Sequence, residues 1–401
     1  MKKKIVYIGK FLFPNGNAEG KLVYSNGTIL NELGYDLVFI GVNEKKIDFS
    51  KSKAIIDNFE SYSIPLHGSL LKISDYIKVN REVIDFLKSD HSCIAAVISY
   101  GTPTFFFFIF KLVNFCKAYK IPFIANVVDM SATSHGTKLE RIAKFLDRYF
   151  LRKVILHKAD GVISVSNYIK NYFSKNIDNI IVIPPLVCDS YDVKQNFEYR
   201  KQKIKLIYAG TPFPVDGRKV DVDSYKDRLD IAIELLAEVY KNNNNLEFDI
   251  YGLSEEQYLS VVGKHKHLIN NSKKYIRFFG KLNQDKIAKK VSSADFTINL
   301  RDVNEMTTAG FSTKFVESIS CGTPMITTDT SDLNSYLEEG KNGFFIDINN
   351  RNKALIDLNE ILSISKHDVD IMKKYCLNSK LFHYTNYINK MSLFIEKVIK
   401  G

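Results

Sequence analysis

Lys4-Ile5-Val6-Tyr7-Ile8-Gly9 stands at the head of the chain, followed by the loop Pro14-Asn15-Gly16-Asn17-Ala18-Glu19-Gly20 and then by Leu22, Ile29, Leu30 and Leu33 at helical spacing. Gly34 closes that stretch, and Asp36-Leu37-Val38-Phe39-Ile40-Gly41 is a second short apolar run. Strand, loop, helix and strand in that order predict the opening of a parallel α/β domain.

Working outward, the runs Ala95 to Ile98, Phe123 to Val128, Gly161 to Val165 and Ile180 to Ile183 alternate with longer helical stretches, and Pro184-Pro185 ends the last of them. One parallel sheet fits this half. The pattern restarts at Ile204-Lys205-Leu206-Ile207-Tyr208-Ala209-Gly210 and continues through Glu247 to Gly252, Ile276 to Gly280, Phe296 to Leu300 and Pro324 to Thr328. Two α/β domains joined near 188–203 are more economical than one sheet of ten or more strands. The Asn242 to Asn245 run reads as a helix-end loop, and Asn378 to Lys400 as an amphipathic helix.

At 401 residues, 45% hydrophobic and 25% charged, the chain has the composition of a globular protein. Its five scattered cysteines contain no CxxC pair, which excludes a disulfide scaffold and argues against structural zinc. The basic head Lys2-Lys3-Lys4 precedes too short an apolar run for a signal peptide, so a cytoplasmic chain is expected.

Net charge is +11, and residues 1–200, with 27 basic against 19 acidic side chains, hold +8 of it. That bias favours an anionic partner.

Phe105-Phe106-Phe107-Phe108-Ile109-Phe110 meets Lys111 well before the ~20 apolar residues of a membrane span, so a buried helix is expected there. Between Lys138 and Lys158, seven basic residues (Lys138, Arg141, Lys144, Arg148, Arg152, Lys153, Lys158) accompany Glu140 and Asp147 and an apolar stripe from Leu139 to Ile155. The pattern predicts a basic amphipathic helix or helix pair. Either its stripe packs on the core beneath a solvated basic face, or it makes peripheral contact with an anionic membrane surface or lipid-linked phosphate. Nucleic acid is disfavoured as a partner, because no recognised binding motif or base-stacking platform accompanies these charges.

The richest chemical pattern is Arg301, then Ala309-Gly310-Phe311-Ser312-Thr313-Lys314-Phe315-Val316-Glu317-Ser318, then Cys321-Gly322-Thr323-Pro324. Glycine-containing backbone ahead of a helix can present amides to a diphosphate. Lys314 falls in the first turn of that helix, where a cation opposes the helix dipole and requires a counter-anion, either Glu317 or a bound phosphate. The first strand is not followed by GxGxxG, which lowers a dehydrogenase reading. Asp221-Val222-Asp223 has a metal-binding spacing but lies in a polar loop, so solvated charge is expected.

The segment from Arg301 to Pro324 resembles the family 4 retaining glycosyltransferases of the two-Rossmann, GT-B type. Tyr208-Ala209-Gly210, Lys226-Asp227-Arg228-Leu229, Phe279-Gly280-Lys281 and Ala159-Asp160-Gly161-Val162-Ile163-Ser164-Val165-Ser166 extend the resemblance over most of the chain. It implies an acceptor-side domain over 1–190, a donor-binding domain over 203–384, a cleft between them, and a helix at about 385–401 packing back on the first domain. It further implies a UDP- or GDP-sugar donor, a glycan or lipid-linked acceptor, retention of configuration, no metal and no separate cofactor.

On the donor side the resemblance implies roles for Gly16, Gly210, Arg218, Lys226, Gly280, Arg301, Gly310, Phe311, Ser312, Thr313, Lys314 and Glu317. Lys226 and Lys314 would stabilise charge on the leaving diphosphate, and Glu317 would hold the ribose. Gly20 shares the first loop with Gly16. Asp129 is the acceptor-side candidate, with His135 and Gly136 nearby. Where the family has the first glutamate of a Glu-x7-Glu pair, this chain has Ala309, and Glu305 is the candidate substitute. A nucleotide-sugar epimerase or hydrolase of the same fold, or a non-catalytic binder of anions, are the competing readings.

Overall fold

The computed structural model describes residues 3–14, 16–43, 48–65, 73–101, 106–130, 138–188, 203–218 and 220–400. The chain divides into two compact units, Met1–Cys188 with Tyr384–Gly401, and Asp189–His383. The join expected at 188–203 lies almost wholly outside the described residues, as do His135 and Gly136.

The first unit is built on β1 (Lys4–Gly9), β2 (Asp36–Asn43), β3 (Ala54–Ile56), β4 (Phe59–Pro65), β5 (Ile94–Tyr100), β6 (Phe123–Val127), β7 (Gly161–Ser164) and β8 (Ile180–Val182), in spatial order β3-β4-β2-β1-β5-β6-β7-β8. Ile5 to Ile8 of β1 are buried because parallel neighbours flank the strand and helices cover both sheet faces. Asn17 caps the following helix, Ala18–Glu32, by accepting from the Gly20 amide at 2.9 Å.

The sheet is not wholly parallel, contrary to the sequence expectation, because β3 runs antiparallel to β4. Asp57 and Asn58 between them both have positive φ (50° and 67°), the backbone of a two-residue hairpin that Asp and Asn tolerate.

The C-terminal helix Ile388–Lys400 buries Met391, Phe394, Ile395 and Val398, and belongs to the first unit. The single amphipathic helix expected over Asn378 to Lys400 is broken. Asn378 and Ser379 instead finish the helix Lys366–Ser379, and Lys380 stops it in a left-handed conformation with φ 46°.

One expectation of burial is corrected, and of the two readings of the basic segment 138–158 the core-packed one does not hold. In the helix Phe106–Tyr119, Phe108 and Ile109 are buried but Phe107 is 62% exposed and Phe110 40%. In the rod formed by Lys138–Phe150, the π-helical turn Leu151–Ile155 and the turn Leu156–Lys158, most of the described apolar side chains do not pack on the core: Ile142, Phe145, Leu146, Tyr149, Phe150 and Val154 are exposed, while Ile155 and Leu156 are buried. Among the described residues no helix is long and apolar enough to cross a membrane.

The second unit carries β9 (Ile204–Ala209), β10 (Leu246–Tyr251), β11 (Ile276–Phe278), β12 (Phe296–Asn299), β13 (Met325–Thr327) and β14 (Gly343–Phe345), all parallel, in the order β11-β10-β9-β12-β13-β14. Order reverses between β9 and β12. Loops leaving neighbouring carboxyl ends diverge at such a switch point and leave a crevice where ligands bind.

Gly210 and Gly252 follow β9 and β10 with φ of 155° and 110°. A Cβ on Gly252 would lie 2.2 Å from the Gly210 carbonyl oxygen, with no flexible side chain to yield. Gly252→Ala is therefore expected to destabilise the fold by about 1–3 kcal/mol or more, which denaturant unfolding would measure.

Candidate functional site

Three segments meet at the β9/β12 switch point. The loop after β9 folds back so that Pro212 O accepts from the Lys226 amide at 2.8 Å, and Leu300 O, just past β12, accepts from the Arg228 amide at 2.7 Å. Arg228 locks the arrangement by pairing with Asp230 and Asp302, each at 2.8–3.0 Å. Between these clips sits Asp227, fully buried.

Asp227 gathers the site. Arg301 Nε donates to its Oδ1 at 2.8 Å, while Lys314 Nζ and the Tyr208 hydroxyl donate to its Oδ2, each at 2.7 Å. With the Asn299 amide turned so that its nitrogen faces Asp227, it donates to Oδ1 at 3.1 Å and accepts from Arg301 Nε at 3.2 Å.

Burial alone would raise the Asp227 carboxyl. The nearby charges of Lys314 and Arg301, with the hydrogen bonds from Lys314 and Tyr208, outweigh it and hold the group well below the usual carboxylate range. Burial, then the Asp227 charge, push the Tyr208 phenol up, so it stays a donor. Two cations against one carboxylate leave the cluster with one net positive charge.

Asp227 thus answers a question that the sequence leaves open. The carboxylate that grips Lys314 comes from the loop after β9, beside Lys226, and neutralises the cation in the first turn of the helix Thr313–Ser320. Sequence reasoning passed over this residue. A signal was present in Lys226-Asp227-Arg228, where an aspartate between two cations must find a partner if the segment is buried.

Lys314 also lies against β9: a Cβ on Gly210 would come within 2.3 Å of Lys314 Cε. The helix bearing Lys314 is capped by Ser312, whose Oγ and carbonyl accept from the Phe315 amide at 3.3 and 3.1 Å, and the amides of Thr313 and Lys314 before it have no carbonyl within the helix to donate to. Phe311 turns into an aromatic cluster with Tyr336 and Phe382, anchoring the loop, and Gly310 N donates to Met306 O at 3.1 Å. Thr313 and Glu317 are half-buried.

The other expected residues stand apart from this cluster or at its rim. Lys226 is exposed, one residue from Asp227. Arg218 is exposed and forks onto Asp216, with Nε at 2.7 and 2.9 Å from the two carboxylate oxygens. Gly280 adopts φ 68° and its carbonyl accepts from Gly252 N at 2.8 Å, so it shapes the neighbouring β10 loop. Gly16 is exposed in the loop after β1, which leaves the β1/β5 switch point of the first unit. Asp129, just past β6, is exposed and lies 3.7 Å from Arg152.

Ala309 is fully buried, and Glu305, one turn earlier on the short helix Glu305–Ala309, is exposed. Asp221 and Asp223 are both exposed.

Residues 219–375, which include Asp227, Arg301, Lys314 and Glu317, match the family described as glycosyl transferases group 1. The chain carries a group 1 glycosyltransferase domain. Over its whole length, this glycosyltransferase is 21% identical to the uncharacterized glycosyltransferase MJ1069 of Methanocaldococcus jannaschii, across 98% of this chain and 96% of that protein. Sucrose-phosphate synthase of Thermosynechococcus elongatus shares the fold at TM-score 0.68 and 14% identity, with both chains fully covered. HepE of Anabaena, solved in complex with UDP-glucose, shares it at TM-score 0.63 and 12% identity over 98% of this chain and 99% of that one. The two parallel-sheet units are thus those of the GT-B fold.

Proposed function

We propose that this glycosyltransferase moves a sugar from a UDP- or GDP-sugar to a hydroxyl of a glycan or lipid-linked glycan, with retention of configuration and without a metal. The second unit binds the donor and the first unit takes the acceptor. One arrangement carries this reading: Lys314, held by Asp227 beside Gly210, stands at the amide-bearing start of a helix at the β9/β12 switch point. The UDP and UDP-glucose complexes of HepE support a nucleotide-sugar donor.

In this reading the diphosphate docks on the amides from Phe311 to Lys314, the Gly310 amide being taken by Met306 O. Lys226 approaches from the facing loop, and Glu317 holds the ribose. As the bond between the anomeric carbon and the β-phosphate oxygen breaks, negative charge grows on that phosphate. Lys314 and the amides stabilise it more than they stabilise the bound donor. The acceptor hydroxyl attacks on the face the phosphate leaves, and its proton passes to the departing phosphate oxygen, so no protein base is required.

Because Ala309 is enclosed, recognition of the donor sugar falls to other groups, with Glu305 the nearest acidic candidate on the same short helix.

Incubation with a nucleotide-sugar panel and a glycan acceptor, followed by NMR of the new linkage, tests the reaction. The expected product keeps the donor's anomeric configuration and forms in EDTA. An inverted linkage, donor hydrolysis or epimerisation without transfer, or loss of transfer in EDTA restored by Mn²⁺, would each overturn the corresponding part.

A further inference from the structure

The first unit carries an exposed apolar surface to which the proposed transfer reaction assigns no role. Ile142, Phe145, Leu146, Tyr149, Phe150 and Val154 recur at three- and four-residue spacing along the rod 138–158, so they share one face, and every one is exposed. Phe145 and Tyr149 stack with ring centroids 6.2 Å apart, and Tyr149 meets Phe150 edge-on at 5.8 Å. The helix Phe106–Tyr119 packs against the π-helical turn of this rod and adds Phe107 and Phe110, also exposed. A contiguous apolar area of this kind, open to water on a folded unit, marks an interaction surface.

Its surroundings say what kind. Residues 138–158 hold seven basic against two acidic side chains, a surplus of five. Lys158 Nζ lies 5.5 Å from the centre of the Phe110 ring, at the border of the apolar area, and the same lysine lines a groove of about 750 Å³ with Lys117, Lys120 and Lys400. Asp160 also lines that groove, but one of its carboxylate oxygens is occupied by the Phe123 amide at 2.7 Å, and Lys400 is shared with Glu396. Aromatic and aliphatic side chains on one face, with a lysine at their border and a surplus of basic residues along the same segment, are the composition of a helix that lies in a bilayer interface with its cations at the headgroups. A protein partner of matching shape would need an acidic rim around an apolar centre, whereas a bilayer of anionic lipid supplies both layers at once.

We propose that the face formed by 142–154 with Phe107 and Phe110 seats the protein on an anionic lipid bilayer, apolar side chains in the interface and Lys153, Lys158 and the groove lysines at the phosphates. The proposal stands independently of the donor site, which lies in the other unit.

Flotation of the full chain with vesicles tests it. The protein should float with phosphatidylcholine vesicles carrying about one-third phosphatidylglycerol, remain behind with pure phosphatidylcholine, and be released as salt rises. Phe145→Ser with Leu146→Ser should weaken vesicle partition about tenfold or more, and Lys153→Glu with Lys158→Glu should do the same. Both variants should keep wild-type melting, since the altered side chains are exposed.

Equal binding to neutral and anionic vesicles, no binding by the wild type, or variants that melt normally and float like the wild type would overturn it. So would a dimer on gel filtration that Phe145→Ser with Leu146→Ser converts to monomer while vesicles bind neither form, which would assign the face to a second copy of the chain.

Discussion

Asp227→Ala is expected to cost about 3–5 kcal/mol of stability, because it strands Arg301 and Lys314 without their shared carboxylate. The side chain of Arg301 is only 6% exposed and that of Lys314 15%, so water cannot replace what is lost. Asp227→Asn keeps the shape but not the charge and should fall between wild type and alanine. Removing one of the two stranded charges as well, in Asp227→Leu with Arg301→Met, should recover part of the loss, since an apolar pair in place of Asp227 and Arg301 avoids their desolvation penalty while Lys314 stays without its carboxylate. Denaturant unfolding of the four proteins measures this. An alanine variant as stable as wild type would mean that the cluster is not organised around Asp227.

The same carboxylate sets an acid limit. Its pKa is lower folded than unfolded, so its contribution is fully present above the unfolded value of about 3.9 and is lost as pH falls from there toward the folded value. Wild-type melting should therefore drop more steeply below about pH 4 than that of Asp227→Asn.

Lys314→Ala is expected to lower kcat/KM by about a hundred- to a thousandfold, the usual effect of deleting one group that meets charge developing on a leaving oxygen. Stability should fall less than in Asp227→Ala, because Asp227 keeps Arg301 and Tyr208. Lys314→Arg should not restore the rate: the amine stem already lies where a Cβ on Gly210 would collide, and a guanidinium needs more room. Steady-state kinetics alongside melting curves separate the two effects. A rate within a few-fold of wild type in Lys314→Ala would remove this amine from the chemistry.

Much of the architecture was legible because buried parallel strands are written as short continuous apolar runs, as in Ile5 to Ile8 and Leu206 to Tyr208. The hairpin Ala54–Pro65 was not, since Asp57-Asn58 lacks the glycine that usually advertises such a turn, and β14 is only three residues long. Nor did periodicity reveal that the stripe from Ile142 to Val154 faces water: amphipathic spacing says that a helix has an apolar face, not what covers it.

On the site, the pattern 310–317 and Lys226 were visible as local sequence. The ion pairs from Asp227 to Arg301 and Lys314 span 74 and 87 residues, and join side chains that only the sheet order β9-β12 makes neighbours. No local spacing could announce them.

The claim on which the account rests is that a nucleoside diphosphate sits at the start of the helix Thr313–Ser320, and calorimetric titration with UDP and with GDP tests it directly. One of the two should bind saturably to the wild type, and Lys314→Ala and Glu317→Ala should each weaken it about tenfold or more while the fold stays cooperative. Binding of neither nucleotide to the folded wild type, or binding unchanged in both variants, would contradict the placement of the donor.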